Sequence, residues 1–187
     1  MQKSTRRRFL IAAGSVGLLA AAGCDNGLGG SGPDVIDARV DSTLDFLYTN
    51  YPGTASLRDK AAGVLVMPLV TKAGLGIGGA YGRGALRVGN TTVDYYSSAS
   101  ASVGLQIGAQ QYAHALFFMT DQALADFRRS PGWAAGADVE YVLLDRGENI
   151  SAETTTALSP VVAFVFGQAG LIAGASIAGT KYTRIIP

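Results

Sequence analysis

The chain has 187 residues, with 15 Lys and Arg against 14 Asp and Glu. Four of those cations lie in the first 23 residues, which hold no acid, so the remainder carries eleven basic against fourteen acidic residues, a net −3. That balance excludes the clustered basic surface of a nucleic-acid binder, and a single His and a single Cys exclude both a zinc site built from several such ligands and an internal disulfide.

The N-terminus has the three parts of an export signal. Lys3, Arg6, Arg7 and Arg8 form a positive region, 9–22 is an uncharged apolar run, and small residues follow. The run is too short for a spanning helix, which needs about 20 apolar residues. Thr5-Arg6-Arg7-Arg8-Phe9-Leu10 fits the twin-arginine pattern, with Arg6 and Arg7 as the paired arginines of an address read by an exporter of folded proteins. Ala21-Ala22-Gly23-Cys24 resembles a lipobox, which makes Cys24 the expected lipidation site and first mature residue. Two acyl chains on Cys24 would suffice for stable anchoring, since each buried CH₂ contributes ~0.8 kcal/mol and one chain holds only marginally. The expected organisation is therefore an export signal at 1–23, a lipidated cysteine with a tether at 24–33, and one domain at 34–187. The glycine-rich tether DNGLGGSGP (25–33) spans ~16 Å as a flexible coil. The expected location is the bacterial cell envelope, facing the periplasm and anchored to its inner or outer membrane.

From Asp34 the chain reads as a helix to about Tyr48, with Ile36, Val40, Leu44 and Leu47 on one face and Pro33 ahead of its start. Asp34, Asp37, Asp41 and Asp45 line an adjacent face, either as a solvated stripe or as a surface for a partner or cations. A second short helix is predicted from a Thr54 or Ser56 cap through Ala62, with Gly63 ending it.

The texture then changes to strands. Val64–Met67 stops at Pro68; Leu75–Tyr81 and Ala85–Val88 follow, and Gly89-Asn90 is a hairpin turn into Thr91–Tyr96. Val103–Ile107 and Tyr112–Met119 precede a helix opened by Thr120-Asp121, with Ala123, Leu124 and Phe127 as its buried face and Pro131-Gly132 closing it. Val139–Leu144, Val161–Phe166, Leu171–Ile177 and Tyr182–Ile186 complete the strands. Glycine recurs through them, and interior glycine marks tight bends or close backbone approach. The expected fold is α+β: N-terminal helices packed on a curved, mainly antiparallel glycine-rich sheet, barrel-like or a sandwich.

Catalytic patterns fail one by one. Gly74-Leu75-Gly76-Ile77-Gly78-Gly79 has dinucleotide-binding spacing, but strand rather than helix follows it and no acid stands about 20 residues on. Gly174-Ala175-Ser176 is like a nucleophile elbow, yet His114, the one histidine, lies upstream of the serine. An order of His114, Asp138 and Ser176 is formally available and is a chance combination. Asp138 and Glu140 share one strand face, more fitting as a polar exterior than as a hydrolytic pair. His114, between two alanines, is expected as a hydrogen-bonded core or edge residue. No enzyme, cofactor or metal is expected.

What remains is a group of cations beside the glycine-rich strands: Lys72, Arg83, Arg87, Lys181 and Arg184. If the fold joins the two ends of the sheet they would form an anionic-headgroup patch, each contributing about 1 kcal/mol near a charged bilayer; otherwise they are unrelated surface charges.

The stretches KAGLGIGGAYGRGAL (72–86), SASVGLQIGAQ (100–110), FFMTDQALADF (117–127) and AGLIAGASIAGTKYTRI (169–185) resemble the SYLF domain family and its bacterial lipoprotein branch, over about Ala55 to Ile185. The specific features are the glycine spacing, Gly-Leu-Gln-x-Gly (Gly104 to Gly108) and the final Gly-x-Lys (Gly179 to Lys181). The resemblance implies a non-enzymatic domain that binds phospholipid or another amphiphile. Eukaryotic relatives bind phosphoinositides, with an N-terminal amphipathic segment contributing, and some bind actin. The acidic N-terminal helix departs from that pattern, and a structural role holding an envelope protein partner is the alternative.

Overall fold

The computed structural model describes residues 32–136, 139–143, 159–167 and 177–187. The export signal with Arg6 and Arg7, Cys24, most of the tether, Asp138, Ser176 and most of the strand expected at Leu171–Ile177 lie outside the described residues.

Helix α1 (Pro33–Asn50) starts at a proline, whose missing N–H costs nothing in a first turn, and buries Ile36, Val40, Thr43 and Leu47. Tyr51 N–H closes it on the Leu47 carbonyl at 2.9 Å. Helix α2 (Gly53–Lys60) follows after two residues, Tyr51 and Pro52, with Pro52 rather than Thr54 or Ser56 at its N-cap. Thr54 is buried and donates to the Tyr51 carbonyl at 2.7 Å. The helix ends at Lys60, not at Gly63. Gly63 opens the first strand instead, where an added Cβ would press on Leu124 at 3.1 Å and the Arg87 carbonyl at 3.2 Å.

Two very long strands dominate. Strand β1 (Gly63–Val88) and strand β2 (Thr91–Phe118) pair antiparallel along their whole length, joined at the expected Gly89-Asn90 turn. The short strands anticipated on either side of Pro68 and the glycines are thus fused. Pro68 does not stop β1, because the register shifts between Met67 and Val70 and the bulge absorbs the residue that cannot donate to the ladder. A second shift, between Gly74 and Gly76, marks a bend so tight that a Cβ on Gly74 would collide with the Gly78 backbone.

Helix α3 (Asp121–Arg129) is capped as expected: Thr120 Oγ1 accepts from Ala123 N–H at 3.1 Å, and Phe127 is buried. The remaining strands are β3 (Trp133–Ala134), β4 (Val139–Leu143), β5 (Val161–Phe166) and β6 (Lys181–Ile185). They form one sheet in which β2 is the spine. Its first half, Tyr95–Ala99, pairs with β6, and its last, Ala113–Phe118, pairs with β5. β3 flanks β6, and β4 runs parallel to β5; every other pairing is antiparallel. The chain is an α+β fold with its helices N-terminal to a curled half-barrel sheet, as the sequence pattern implied.

The curl divides the apolar residues in two. Leu65, Met67, Leu86, Tyr96, Leu116, Phe118, Val165 and Tyr182 fill the inner face together with Phe127 of α3. Val64, Val66, Ala85, Ala115, Phe117, Phe164 and Phe166 lie on the outer face beneath Ile36, Val40 and Leu47 of α1. All six residues of β5 are buried, because α1 covers one side and the inner core the other. The hairpin doubles over so closely that a Cβ on Gly84 would strike the Val66 carbonyl and Met67 Sδ.

Candidate functional site

Strand alternation decides where each candidate cation goes. Between Gly76 and Leu86 the register runs without a break, pairing Ile77 with Val103, Gly79 with Ala101, Tyr81 with Ala99, Arg83 with Ser97 and Ala85 with Tyr95. On the other side of β2, Ala99 meets Lys181, Ser97 meets Thr183 and Tyr95 meets Ile185. Successive side chains alternate between faces, so Tyr81, Arg83 and Lys181 share the outer face. Arg83 and Lys181 are two strand spacings apart and one alternate step along, ~10 Å by ~7 Å at the backbone.

The structure brings together two of the five expected cations, Arg83 and Lys181. Both are exposed, and neither joins an ion pair among the described residues. Arg83 Nε donates to the Tyr81 hydroxyl at 3.1 Å. The Lys181 stem lies across Gly132, the position where a Cβ would collide with it. Lys72 pairs with Gln110 and shares the alternation of Val70 and Tyr112, which puts it on the inner side, away from the other two.

Arg87 and Arg184 are engaged elsewhere. The Arg87 side chain, only 13% exposed, forms an ion pair with Asp41 and approaches Asp37 at 3.7 Å. Asp37 also accepts from Thr92 Oγ1 at 2.8 Å and from the Tyr95 hydroxyl at 2.9 Å. Burial first, and then the Asp37 carboxylate, push the Tyr95 phenol above its ordinary range. Two of the four aspartates of the acidic stripe therefore pin α1 to the sheet. Nearby, Arg58 stacks over Tyr48 at 5.1 Å from the ring centre, and burial raises the Tyr48 phenol to about 12. Asp41, Asp45, Tyr48, Arg58 and Arg87 line a cleft of about 290 Å³ beside the hairpin turn.

Arg184 sits at the rim of the inner face, where its guanidinium and that of Arg128 share the Asp94 carboxylate at 3.3 and 2.9 Å. It also donates to the Arg128 carbonyl at 3.2 Å, tying β6 to the end of α3. Asp94, Tyr81, Thr92 and Tyr95 are the site residues that sequence reasoning missed. Only Tyr81 left a signal, as an aromatic two residues from Arg83 in a strand otherwise rich in glycine.

His114 is a hydrogen-bonded core residue. It is wholly buried, its Nε2 lies 2.8 Å from the Tyr182 hydroxyl, and its ring stacks near Tyr112. Burial drives its pKa down to about 3, so it is neutral at any physiological pH. Nδ1 has no hydrogen-bond partner. Glu140 lies on β4, and Asp138 and Ser176 fall outside the described residues.

The sequence model of a family described as "Ysc84: Las17-binding protein actin regulator" matches residues 99–184. Over those residues the chain is similar to the Ysc84 (SYLF) domain. The match takes in 99–118 of β2, helix α3, strands β3 to β5 and all but the last residue of β6, so Lys181 and Arg184 lie within the matched segment. Arg83 and Arg87, on β1, precede it. Comparison with curated protein sequences gives no match.

Proposed function

We propose that this chain is a bacterial cell-envelope lipoprotein, anchored through Cys24, whose SYLF domain binds phospholipid or another amphiphile without catalysis. The observation that carries the binding half is the SYLF match over residues 99–184. The family description speaks of a Las17-binding actin regulator; the domain is carried over here and that partner is not. The anchoring half rests on the sequence alone, on the paired Arg6 and Arg7, the apolar run behind them and the lipobox-like residues before Cys24. A pair of acyl chains on Cys24, followed by a short glycine-rich tether, would hold the domain close to a bilayer on the periplasmic side.

The non-catalytic part of the reading is supported by the chemistry of the one histidine. A general base needs a pKa near the working pH and access to substrate, whereas His114 is buried, depressed to about 3 and bonded to Tyr182.

Two measurements test the reading. Mass spectrometry of the membrane-extracted protein should show an N-terminal diacylglyceryl cysteine, lost in Cys24→Ser. The Cys24→Ser chain begun at residue 24, without acyl chains or the apolar run 9–22, should still sediment with vesicles containing anionic phospholipid, less so at high salt. Failure to bind vesicles of any composition would leave Cys24 as the sole membrane contact and shift the function to an envelope protein partner.

A further inference from the structure

The outer face of the sheet is used very differently at its two ends. Where β1 and β2 pass under α1 it is filled with apolar side chains. Beyond Ala85 it carries no covering element among the described residues, and small residues line it: Gly79, Ala99 and Ala101 are exposed there. Ile77 rises from it at 78% exposure and Tyr81 at 51%, two of the most exposed large apolar side chains described. Arg83 and Lys181 flank it. Among the described residues no acid shares this stretch of the face, since Asp94 points into the inner rim toward Arg128 and Arg184, and Asp37 and Asp41 are turned to Arg87.

We infer that this face, with Ile77 and Tyr81 at its centre and Arg83 and Lys181 at its margins, is where the domain lies down on an anionic phospholipid bilayer. The inference rests on the amphiphile-binding reading above and gives it a surface. Small residues let the sheet approach headgroups closely, an amphipathic tyrosine suits the boundary between headgroup and acyl chain, and two cations with no ion pair among the described residues match a negative lipid surface. Helix α1 is not the docking element. Its apolar side, Ile36, Val40 and Leu47, is already buried against the sheet, and its other residues include Asp34 and Asp45.

The test uses the Cys24→Ser chain, which holds no other thiol. Ile77→Cys is labelled with a polarity-sensitive fluorophore and compared with Ser56→Cys, an exposed position on α2. Vesicles of phosphatidylglycerol and phosphatidylethanolamine should shift the Ile77 label to the blue and leave the Ser56 label unchanged, while phosphatidylcholine vesicles shift neither. Arg83→Ala with Lys181→Ala should weaken partitioning about thirtyfold at low salt, roughly fivefold per cation, with an unchanged urea midpoint showing that the fold is intact. If the vesicles are bound but the Ile77 label stays in water, or the double variant binds as before, this face is wrong while lipid binding stands. If no vesicle is bound by the unsubstituted chain, both the face and the amphiphile-binding reading fall.

Discussion

Two stretches of the β1–β2 hairpin share one sheet and differ in what covers them. At the closed end, Val64–Val70 and Tyr112–Phe118 are buried on both faces, between α1 on one side and the inner core on the other. At the open end, Ile77–Arg83 and Ser97–Ala101 bury only the inner face, through Ala80, Gly82 and Ser98, and leave the outer one bare. The contrast separates two jobs that sequence composition blends together: large apolar residues build the fold at one end, and small ones line an uncovered surface at the other.

The largest effects should confirm which end holds the molecule together. Phe117 is fully buried and packs edge-to-face on Phe164 at 5.4 Å. Phe117→Ala should cost about 3–5 kcal/mol in urea unfolding, whereas Ile77→Ala at the open end should fall within about 0.5 kcal/mol. Similar costs for the two would erase the distinction drawn here.

Acid should act on the closed end as well. His114 on β2 has a folded pKa of about 3 against an ordinary value of 6.5. A base whose folded pKa is depressed binds its proton more readily in the unfolded chain, so the contribution is intact above pH 6.5 and is lost as the pH falls toward 3. At 1.36 kcal/mol per unit, the loss approaches about 4 kcal/mol at the bottom of that window. Urea midpoints measured from pH 7 to pH 4 should therefore fall in the native chain and fall less steeply in His114→Gln, which cannot take up the proton.

How much of this was legible in the residues depended on how local the determinant was. The Gly89-Asn90 turn, the Thr120 cap of α3 and the apolar run of β5 are written in a few adjacent positions and were read correctly. Pro68 and the glycines around 74–79 were read as strand ends because each weakens a ladder on its own. In the folded chain a bulge absorbs the proline, and the bend between Gly74 and Gly76 lets a single strand turn the corner of the half-barrel. The two-residue strand at Trp133–Ala134 is too short to carry any period. Least legible was the fate of the charges. Arg87 and Arg83 look equivalent in sequence, four residues apart in a glycine-rich strand, but even spacing along a strand says nothing of what covers each position.

Glycine gives a smaller contrast between the ends. Gly84 has no room for a Cβ, which would strike backbone and Met67 Sδ, so Gly84→Ala should cost about 1–3 kcal/mol as the doubled hairpin is forced apart. At Gly79 a Cβ would meet only the Ser100 carbonyl, at 3.3 Å, from an exposed position. Gly79→Ala should cost several-fold less by the same denaturation assay.

The finest division is between Arg83 and Arg87 themselves. Arg87 is largely covered and holds Asp37 and Asp41 of α1; removing it strands Asp37, whose side chain is 30% exposed and keeps only Thr92 and Tyr95 as donors. The pair is not deeply buried, so the penalty lies between that of a surface bridge and a buried one, about 1–2 kcal/mol. Among the described residues the Arg83 side chain hydrogen-bonds to Tyr81 alone, and Arg83→Ala should leave stability within about 0.5 kcal/mol. Vesicle binding should reverse the order. Arg83→Ala should weaken it about fivefold, while Arg87→Ala, whose charge is already matched by two aspartates, should leave partitioning of the folded protein unchanged. A chain in which both substitutions impaired both properties equally would mean that α1 and the open face act as one surface, and the separation of structural from surface charges would fail.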